Sequence, residues 1–195
     1  MRARVANITG MFLDIPELGG KQVGLLKEIV LRLSRIAIFG IPDLNTAQFA
    51  ATEMAVRALA LEVEIIEVRS PEEFDGALDA ATTKHADAGI LLSSPLVFLA
   101  SKQIGELALA KRLPLISLFG EFPNKGGLIA YGPNLVELFR RCGDYVAKVL
   151  HGAKPSELPI QRPEKFDLVI NLKTAEALGL DVPTQLQQLA DEIIE

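Results

Sequence analysis

The sequence predicts an α/β fold in which a parallel sheet is flanked by helices on both faces. Predicted strands and helices alternate between residues 18 and 119, which is the chain order that a parallel sheet requires. The predicted strands are continuous apolar runs, and such runs are typical of strands buried on both faces. With 195 residues, of which 49% are hydrophobic, the chain suffices for one large domain or for one and a half small ones.

The first elements follow from apolar periodicity and helix signals. A helix is predicted over residues 16–32, and the run RIAIFG at 35–40 is the first strand. A second helix is expected to open at Asn45 or Thr46, because both residue types cap helices. The run EVEIIEV at 62–68 is the second strand.

The next elements continue the alternation. The sequence Ser-Pro-Glu-Glu at 70–73 is a capping box with proline at the first helical position, and it predicts a helix to about residue 85. The strand AGILLSS at 88–94, a helix over 95–112 and the strand LPLISLF at 113–119 follow it. Parallel strands joined in this way place all their carboxyl ends at one edge of the sheet.

The stretch from residue 126 to residue 179 is organised differently. A strand at 128–131 leads into an amphipathic helix over 134–151, and a proline-punctuated extended segment then leads to the strand FDLVIN. The apolar residues of the helix recur at helical spacing: Leu135, Leu138, Phe139, Cys142, Tyr145, Val146 and Val149. This order suggests a chain that leaves one domain, lays a single helix on a neighbour, and returns.

Composition argues against several function classes. The net charge is −5 and no cluster of Lys and Arg is longer than a pair, so nucleic acid is not expected as a partner. Cys142 is the only cysteine, and its place among the apolar residues of its helix favours a packed side chain over a catalytic thiol. His85 and His151 lack partners at metal-ligand spacing, so no metal and no cofactor are predicted.

The loops at the carboxyl edge of the sheet are the expected ligand site, because open α/β sheets bind ligands there. These loops, at 40–46, 93–96 and 119–126, carry hydroxyls, amides and aromatic rings. Such groups hold a small molecule by hydrogen bonds and stacking. The predicted ligand-binding residues are Asn45, Thr46, Ser93, Ser94, Phe119, Glu121 and Tyr131.

Each of these residues also has a purely structural interpretation. Asn45 and Thr46 are candidate helix caps, Ser93 and Ser94 are candidate caps of the helix behind Pro95, and the ring of Phe119 is a candidate core residue. The sequence alone leaves both interpretations open.

No catalytic constellation is visible at this edge. The loops lack a dinucleotide fingerprint, a phosphate-binding loop and a nucleophile elbow. Asp43 and Glu121 lie on two different edge loops, where a pair of carboxylates is able to act in acid–base catalysis, but acidic loop residues are mostly solvated. The sequence therefore does not predict an enzyme.

Three segments carry a resemblance to a known family. They are NITG followed by ELGGKQVGLLKEI within 7–29, the long block from GGLIAYG to GLDVP at 126–183, and LADEIIE at the end. With these segments the sequence resembles the carboxyl-terminal part of an ABC transporter substrate-binding protein. The resemblance is to the periplasmic-binding-protein-like group, some of whose members resemble tryptophan or aromatic amino-acid binders, and it covers almost the whole chain.

The resemblance implies a division of the chain. Such proteins have two flavodoxin-like lobes of the type I arrangement, joined by a hinge, with the ligand between them. By this resemblance residues 1–10 are the hinge entry, 11–131 the second lobe, 132–160 a crossover whose helix belongs to the first lobe, and 161–195 the return strand and C-terminal helices. The first lobe itself is expected to be missing.

The implied function is solute binding for an ABC import system, with the transporter permease as partner and the periplasm as location. The start of the chain, MRARVANITG, lacks the apolar run of an export signal.

Half a cleft is expected to bind weakly, because such receptors close on ligand with both lobes. An apolar helix without its lobe requires a partner, so we expect a homodimer through helix 134–151.

Two questions stay open at this point. Relatives that resemble aromatic amino-acid binders tend to carry an acidic residue where this chain has Ser93, Ser94 and Pro95, so the solute is not defined. The alternatives to a solute receptor are a truncated relative that acts as a cytoplasmic interaction or regulatory domain without a transport role, and an enzyme on a flavodoxin-like sheet.

Overall fold

The computed structural model describes residues 7–13 and 15–195. Within these residues the helices are α1 (Leu18–Ile29), α2 (Pro42–Ala58), α3 (Glu73–Thr83), α4 (Pro95–Leu99), α5 (Ser101–Ala110), α6 (Glu121–Asn124), α7 (Leu135–Leu150), α8 (Leu172–Leu178) and α9 (Thr184–Leu189). The strands are β1 (Arg35–Gly40), β2 (Glu62–Glu67), β3 (Ala88–Leu91), β4 (Leu115–Ser117), β5 (Ile129–Pro133), β6 (Phe166–Asn171) and β7 (Glu192–Ile194).

These strands form one sheet in the order β2-β1-β3-β4-β5-β6-β7. β1 pairs in parallel with β2 on one side and with β3 on the other, and β3 with β4, β4 with β5 and β6 with β7 are also parallel. Helix α1 packs against α2, and α3 packs against α5. The predicted α/β class with a parallel sheet is confirmed, and the order 2-1-3-4-5 is the flavodoxin-like one.

The chain divides into two compact units. The large unit comprises Ile15–Gly132 and Asp167–Glu195, and the small unit comprises Pro133–Phe166 with the described part of Met1–Asp14. The core of the large unit is made of aliphatic side chains from its central strands and from α1, such as Ile38, Ile90 and Leu26, which are fully buried. Burial of each such side chain stabilises the fold by roughly 1.5–3 kcal/mol.

The small unit is built around α7. The side chain of Asn134 caps this helix by accepting a hydrogen bond from the backbone N–H of Glu137 at 2.8 Å, as its position before the apolar pattern predicts. The Tyr145 hydroxyl donates to the carbonyl of Pro159 at 2.7 Å. Met11 forms a parallel bridge with Gln161, so two extended segments accompany the helix. None of the helices in the described part of the chain is long and apolar enough to cross a membrane.

The prediction that all strands are buried on both faces is wrong for β2. This strand lies at the edge of the sheet, and its glutamates are wholly or partly exposed. Glu62 forms an ion pair with Arg35, and Glu64 forms one with Lys84. Charged residues on an edge strand disfavour pairing with another chain, so the alternating charges of EVEIIEV fit its place at the edge.

The helix predicted over 95–112 is two helices. α4 ends at Leu99 and α5 begins at Ser101, with Ala100 between them at φ −86° and ψ 7°. The Ser101 hydroxyl donates to the carbonyls of Val97 and Phe98, at 2.8 Å each, and thereby occupies acceptors that a continuous helix uses for its own backbone. The apolar pattern did not reveal this break.

The prediction of helices alone after the return strand is incomplete. α8 and α9 are present, but the terminal residues Glu192–Ile194 form β7, which extends the sheet beside β6. The Asp191 carboxylate accepts from the backbone N–H of Leu168 at 2.9 Å, and the Asp191 N–H donates to the Leu168 carbonyl at 2.9 Å. Two hydrogen bonds from the residue before it therefore align this short strand.

Candidate functional site

The strand order reverses between β1 and β3, because β1 is followed along the chain by the outer strand β2 whereas β3 is followed by β4 on the other side. The loops that leave β1 and β3 thus run to opposite sides and open a crevice between their carboxyl ends. Residues 41–45 and 92–94 lie at this point of the large unit. It is the geometric candidate for a ligand site.

Asn45 links these two loops. Its Oδ1 atom accepts from the backbone N–H of Ile41 at 2.8 Å, and its Nδ2 atom donates to the carbonyl of Ser93 at 2.8 Å. The residue is 1% exposed and has the non-helical angles φ −104° and ψ 16° inside α2. A buried amide that satisfies backbone groups of both loops fixes their separation.

The prediction that Asn45 or Thr46 opens the second helix is wrong. α2 begins at Pro42, because proline is favoured at the first helical position, where its missing N–H costs nothing. Thr46 is exposed and its hydroxyl donates to the carbonyl of Pro42 at 2.8 Å. Of the two residues, Asn45 alone is brought to the β3 loop by the contacts described here.

Gln48 completes the link and was not predicted. Its Oε1 atom accepts from the backbone N–H of Ser93 at 3.0 Å and from Asn45 Nδ2 at 3.3 Å. Both backbone groups of Ser93 are therefore held by α2. The available signal was spacing, since Gln48 lies one helical turn after Asn45 on the same face.

The two serines after β3 have different roles. Ser94 is 3% exposed, and its hydroxyl accepts a hydrogen bond from the backbone N–H of Val97 at 3.2 Å. Ser94 therefore caps α4, which confirms the prediction that it caps the helix behind Pro95. Ser93 is half-buried and lines a narrow cavity. The cavity walls come from uncharged polar and apolar residues of α1, α2 and the strand ends, among them Gln22, Gln48, Thr52, Leu92 and Leu118.

Tyr131, near the carboxyl end of β5, contacts α1. The Gln22 side chain, which is 4% exposed, donates from Nε2 to the Tyr131 carbonyl at 3.1 Å. Lys21 Nζ donates to the Tyr131 hydroxyl at 3.3 Å and lies 5.5 Å from the ring centroid. Gln22 was not predicted either, although its signal is visible, because it is a polar residue midway between Leu18 and Leu26 on the buried face of the helix.

Phe119 is 6% exposed and packs edge-to-face on Phe98, with the ring centroids 5.2 Å apart and an interplanar angle of 75°. Lys125 Nζ lies 5.5 Å from the centroid of the half-buried Phe98 ring. Phe119 is therefore part of the core, and Phe98 is the more accessible member of the pair. No pattern in the sequence predicts that these two rings are in contact.

Glu121 is the first residue of the short helix α6 and is half-buried. Asp43 is exposed and lies 3.6 Å from Arg69 Nη1. Within residues 7–13 and 15–195 no group of three or more His, Cys, Asp and Glu side chains is arranged to hold a metal ion. Whether any of the predicted residues contacts a ligand stays a prediction.

Solved structures share this fold. The chain is similar to an ABC domain in complex with L-Trp from Streptococcus pneumonia, with 23% identity and a TM-score of 0.85 over 95% of this chain and 64% of that one. It is also similar to a conserved domain protein from Vibrio cholerae, with 22% identity and a TM-score of 0.87 over 95% of this chain and 62% of that one.

A third structure, the ligand-free, open form of a substrate binding protein with adhesive properties from Clostridium difficile, has 19% identity and a TM-score of 0.68 over 95% of this chain and 62% of that chain. The chain thus spans less than two thirds of the length of all three proteins. At these identities the likeness concerns the fold. No curated protein matches the sequence significantly.

The sequence also matches a family model, and the match extends from residue 2 to residue 194. The model describes ABC transporter substrate binding proteins. Its match includes the segments 7–29 and 126–183, which carry the resemblance in the sequence, and it spans both units of the structure. The chain therefore belongs to the ABC transporter substrate binding protein family.

Proposed function

We propose that this chain binds a small-molecule solute for an ABC import system, at the carboxyl edge of the sheet between the loops after β1 and β3. The observation that carries the proposal is the amide link at the strand-order reversal. Asn45 and Gln48 hold both backbone groups of Ser93. When the walls of a crevice are already fixed, solute binding does not have to offset the conformational entropy that is lost when loops become ordered.

The chemistry of the crevice favours an uncharged contact surface. Ser93 and the amide of Gln48 are half-buried at this edge, and the buried Gln22 and Thr52 lie beside them. Amides donate and accept hydrogen bonds, so they suit a solute that carries both kinds of group. Phe98 is half-buried, and we propose that an aromatic solute stacks on the exposed part of its ring.

A matching structure was solved with L-Trp, which makes this amino acid the first solute to test. Ser93, Ser94 and Pro95 follow β3 here, and none of them carries a charge that pairs with an α-amino group. We propose that the aromatic ring, more than the amino group, is recognised at this edge. Indole, which lacks the amino acid backbone, distinguishes the two modes.

We propose that the chain supplies the second lobe, 11–131 with 161–195, and a crossover at 132–160 preceded by a hinge entry at 1–10. A first lobe, supplied by residues that this chain does not include, completes the cleft and strengthens binding. The transporter permease is the proposed protein partner. The family is typically extracytoplasmic, and we propose the periplasm as the location.

Family membership supports this function over the alternatives. The family consists of solute-binding proteins and is not a class of enzymes. An enzyme on a flavodoxin-like sheet needs a catalytic group. The carboxylate of Asp43, one of the two candidates, is exposed and lies beside Arg69, as in an ordinary surface ion pair. No contact or comparison described above specifically supports a cytoplasmic interaction domain without a transport role.

The test uses the absence of tryptophan from this sequence. L-Trp or indole fluorescence then reports on the solute alone, and its anisotropy rises when the solute binds. We expect both solutes to bind, and we expect Ser93→Leu to weaken binding by at least ~10-fold, because the larger side chain obstructs the edge between the loops after β1 and β3. Thr83→Leu, a matched change at the exposed end of α3, is the control.

Two outcomes would contradict the proposal. Equal binding by the Ser93→Leu variant would place the site elsewhere. Failure of L-Trp, indole and a panel of uncharged aromatic solutes to bind at millimolar concentration would remove solute binding from this lobe. Circular dichroism and urea unfolding of each variant establish that the fold is intact.

A further inference from the structure

The cavity behind Ser93 lies inside the large unit, between α1 and α2 and close to the ends of β3 and β4. Its volume is about 10 Å³, which suffices for one water molecule and for nothing larger. Cavities lined by apolar groups alone stay dry, whereas a cavity with two or more polar groups in its wall holds water. The polar residues of this wall are Gln22, Gln48, Thr52 and Ser93.

Thr52 is the most deeply buried of these four residues. It lies in α2 and is 1% exposed. A Cβ atom placed on Gly19 of α1 would overlap the Thr52 Oγ1 atom, so this oxygen points across to α1, and both residues line the cavity. Among the residues that the structure describes, no protein group forms a hydrogen bond with this hydroxyl. A buried hydroxyl without a hydrogen bond is costly, so its partner must come from the cavity.

Gln22 lines the cavity from α1, one helical turn after Gly19. It is 4% exposed, and its Nε2 atom donates to the Tyr131 carbonyl at 3.1 Å. An amide has an acceptor as well as donors, and this contact leaves the Oε1 atom of Gln22 to accept a hydrogen bond. The cavity therefore has a hydroxyl on the α2 side and an amide group on the α1 side.

We propose that one ordered water molecule occupies the cavity behind Ser93 and joins α1 to α2. The water donates one hydrogen bond to Gln22 Oε1 and forms a second one with the Thr52 hydroxyl. Ser93 lines the cavity from the end of β3 and offers a third contact, which is the usual number for a buried water. The ligand of this site is water itself, because a larger polar molecule exceeds the volume.

The proposed water connects two polar contacts that are otherwise separate. Gln22 holds the Tyr131 carbonyl of β5, and Gln48, one turn before Thr52 in α2, holds the backbone N–H of Ser93. A water between Gln22 and Thr52 joins these contacts into one network under the carboxyl edge. A fully satisfied polar network rigidifies the structure around it. The inference concerns the free chain, and it stands whether or not the edge binds a solute.

A high-resolution crystal structure of the full chain, grown without added solute, tests the site directly. We expect a density peak in the cavity at about 2.5–3.0 Å from Thr52 Oγ1 and from Gln22 Oε1. The variant Thr52→Val has nearly the same shape but lacks the hydroxyl, and we expect the peak to be absent from it. The variant Thr52→Ser keeps the hydroxyl and loses only the methyl group, and we expect the peak to remain.

Two crystallographic results would overturn the proposal. A cavity without density in the parent chain would remove the water site. A peak that persists unchanged in Thr52→Val would show that the Thr52 hydroxyl does not hold the water, and the link between α1 and α2 would be lost with it.

Urea unfolding separates a hydrated cavity from a dry one by the sign of the change. In a dry cavity the Thr52 hydroxyl lacks a partner, so Thr52→Val would raise the equilibrium constant for folding. With a bound water, the same change leaves the Gln22 acceptor unsatisfied, and we expect this constant to fall at least ~5-fold. Thr83→Val, at the exposed end of α3, is the matched control, and we expect it to change the constant by less than ~2-fold.

A folding constant that is unchanged or increased in Thr52→Val would contradict a bound water. If this variant does not fold, the crystal structure of the parent chain decides the question. Both measurements are made without solute, so a failure of solute binding at the carboxyl edge leaves their outcome unaffected.

Discussion

The two edges of the large unit's sheet are stabilised by different chemistry. At the amino edge the Asp87 carboxylate accepts from the backbone N–H groups of Ser34 and Arg35, at 2.8 and 2.9 Å, and from the Ser34 hydroxyl at 2.7 Å. At the carboxyl edge the amides of Gln22 and Asn45 donate to the carbonyls of Tyr131 and Ser93.

The difference follows from the backbone groups that are left outside the sheet at each edge. Before β1 the N–H groups of Ser34 and Arg35 need an acceptor, whereas the Ser93 and Tyr131 carbonyls after β3 and in β5 need donors and the N–H groups of Ile41 and Ser93 need acceptors. Carboxylates meet the first need, and neutral amides meet the second while they still accept hydrogen bonds themselves. The amide contacts at the carboxyl edge surround the proposed solute site, whereas the carboxylate contacts at the amino edge contribute to stability alone. Substitutions at the two edges test this division.

The largest effect is expected for Asn45→Asp, which keeps the shape of the side chain and removes its donor. The new carboxylate would be buried against the Ser93 carbonyl, and we expect a loss of about 3 kcal/mol in the free energy of unfolding, measured in urea. Protonation relieves the repulsion, so the loss shrinks as the pH falls. A loss below about 1 kcal/mol would mean that the amide link does not hold the edge.

The reciprocal change at the amino edge is Asp87→Asn, for which we expect a loss of about 1.5 kcal/mol at neutral pH. Burial acts to raise the pKa of Asp87, but the hydrogen bonds from Ser34 and Arg35 outweigh it and lower the pKa below its usual range.

The sign of the pH effect follows from this shift. The contribution of Asp87 is fully present above the unfolded-state pKa of about 3.9 and is lost as the pH falls through the lower folded-state value. Unfolding experiments at several pH values should show the difference between the parent chain and Asp87→Asn narrowing below about pH 4. A difference that is constant with pH would contradict the role of the charge.

A smaller effect is expected for Gln22→Leu. The Tyr131 carbonyl loses its donor, and we expect a cost of about 1 kcal/mol, partly offset by the added apolar contact. Gln103→Leu is the control, since the exposed Gln103 also donates to a carbonyl, that of Pro71 at 3.2 Å, and should cost only a few tenths of a kcal/mol. Equal costs in the two variants would show that burial at the carboxyl edge adds nothing.

The smallest effect is expected for Lys84→Met, which removes the exposed ion pair with Glu64 on the edge strand β2. We expect less than about 0.5 kcal/mol at low salt, and no difference from the parent chain at high salt. A loss above about 1 kcal/mol in the free energy of unfolding that persists at high salt would show that this ion pair stabilises the sheet more than an ordinary surface ion pair does.

Much of the fold was predictable because it depends on local apolar runs. RIAIFG and FDLVIN are strands as predicted, at 35–40 and 166–171, since continuous apolar residues bounded by turn residues indicate little else. The break at Ala100 and the strand β7 were not predicted. The first arises from a serine hydroxyl that competes with the backbone, and the second from pairing with a strand twenty residues away, neither of which leaves a periodic signal.

The geometry of the carboxyl edge was predictable in outline but not in detail, and solute binding there stays a prediction. The carboxyl edge follows from the order of strands and helices, which is why Asn45, near the start of α2, and Ser93, just after β3, lie in contact. The role of Asn45 was misassigned, because a side chain that bonds across to another loop has the same residue type as a helix cap. Gln22 and Gln48 were missed, since a buried glutamine is recognised only through the carbonyl or amide that it contacts.

The amide link has a consequence for how new specificities arise. Asn45 and Gln48 bond to the main chain of residues 41 and 93, and main-chain atoms are the same for nearly every amino acid. The side chains at positions 41 and 93 can therefore be replaced while the hydrogen bonds from Asn45 and Gln48 to their main chain are kept. With the solute site proposed above, a library randomised at positions 41 and 93 is expected to yield folded proteins with altered solute preference.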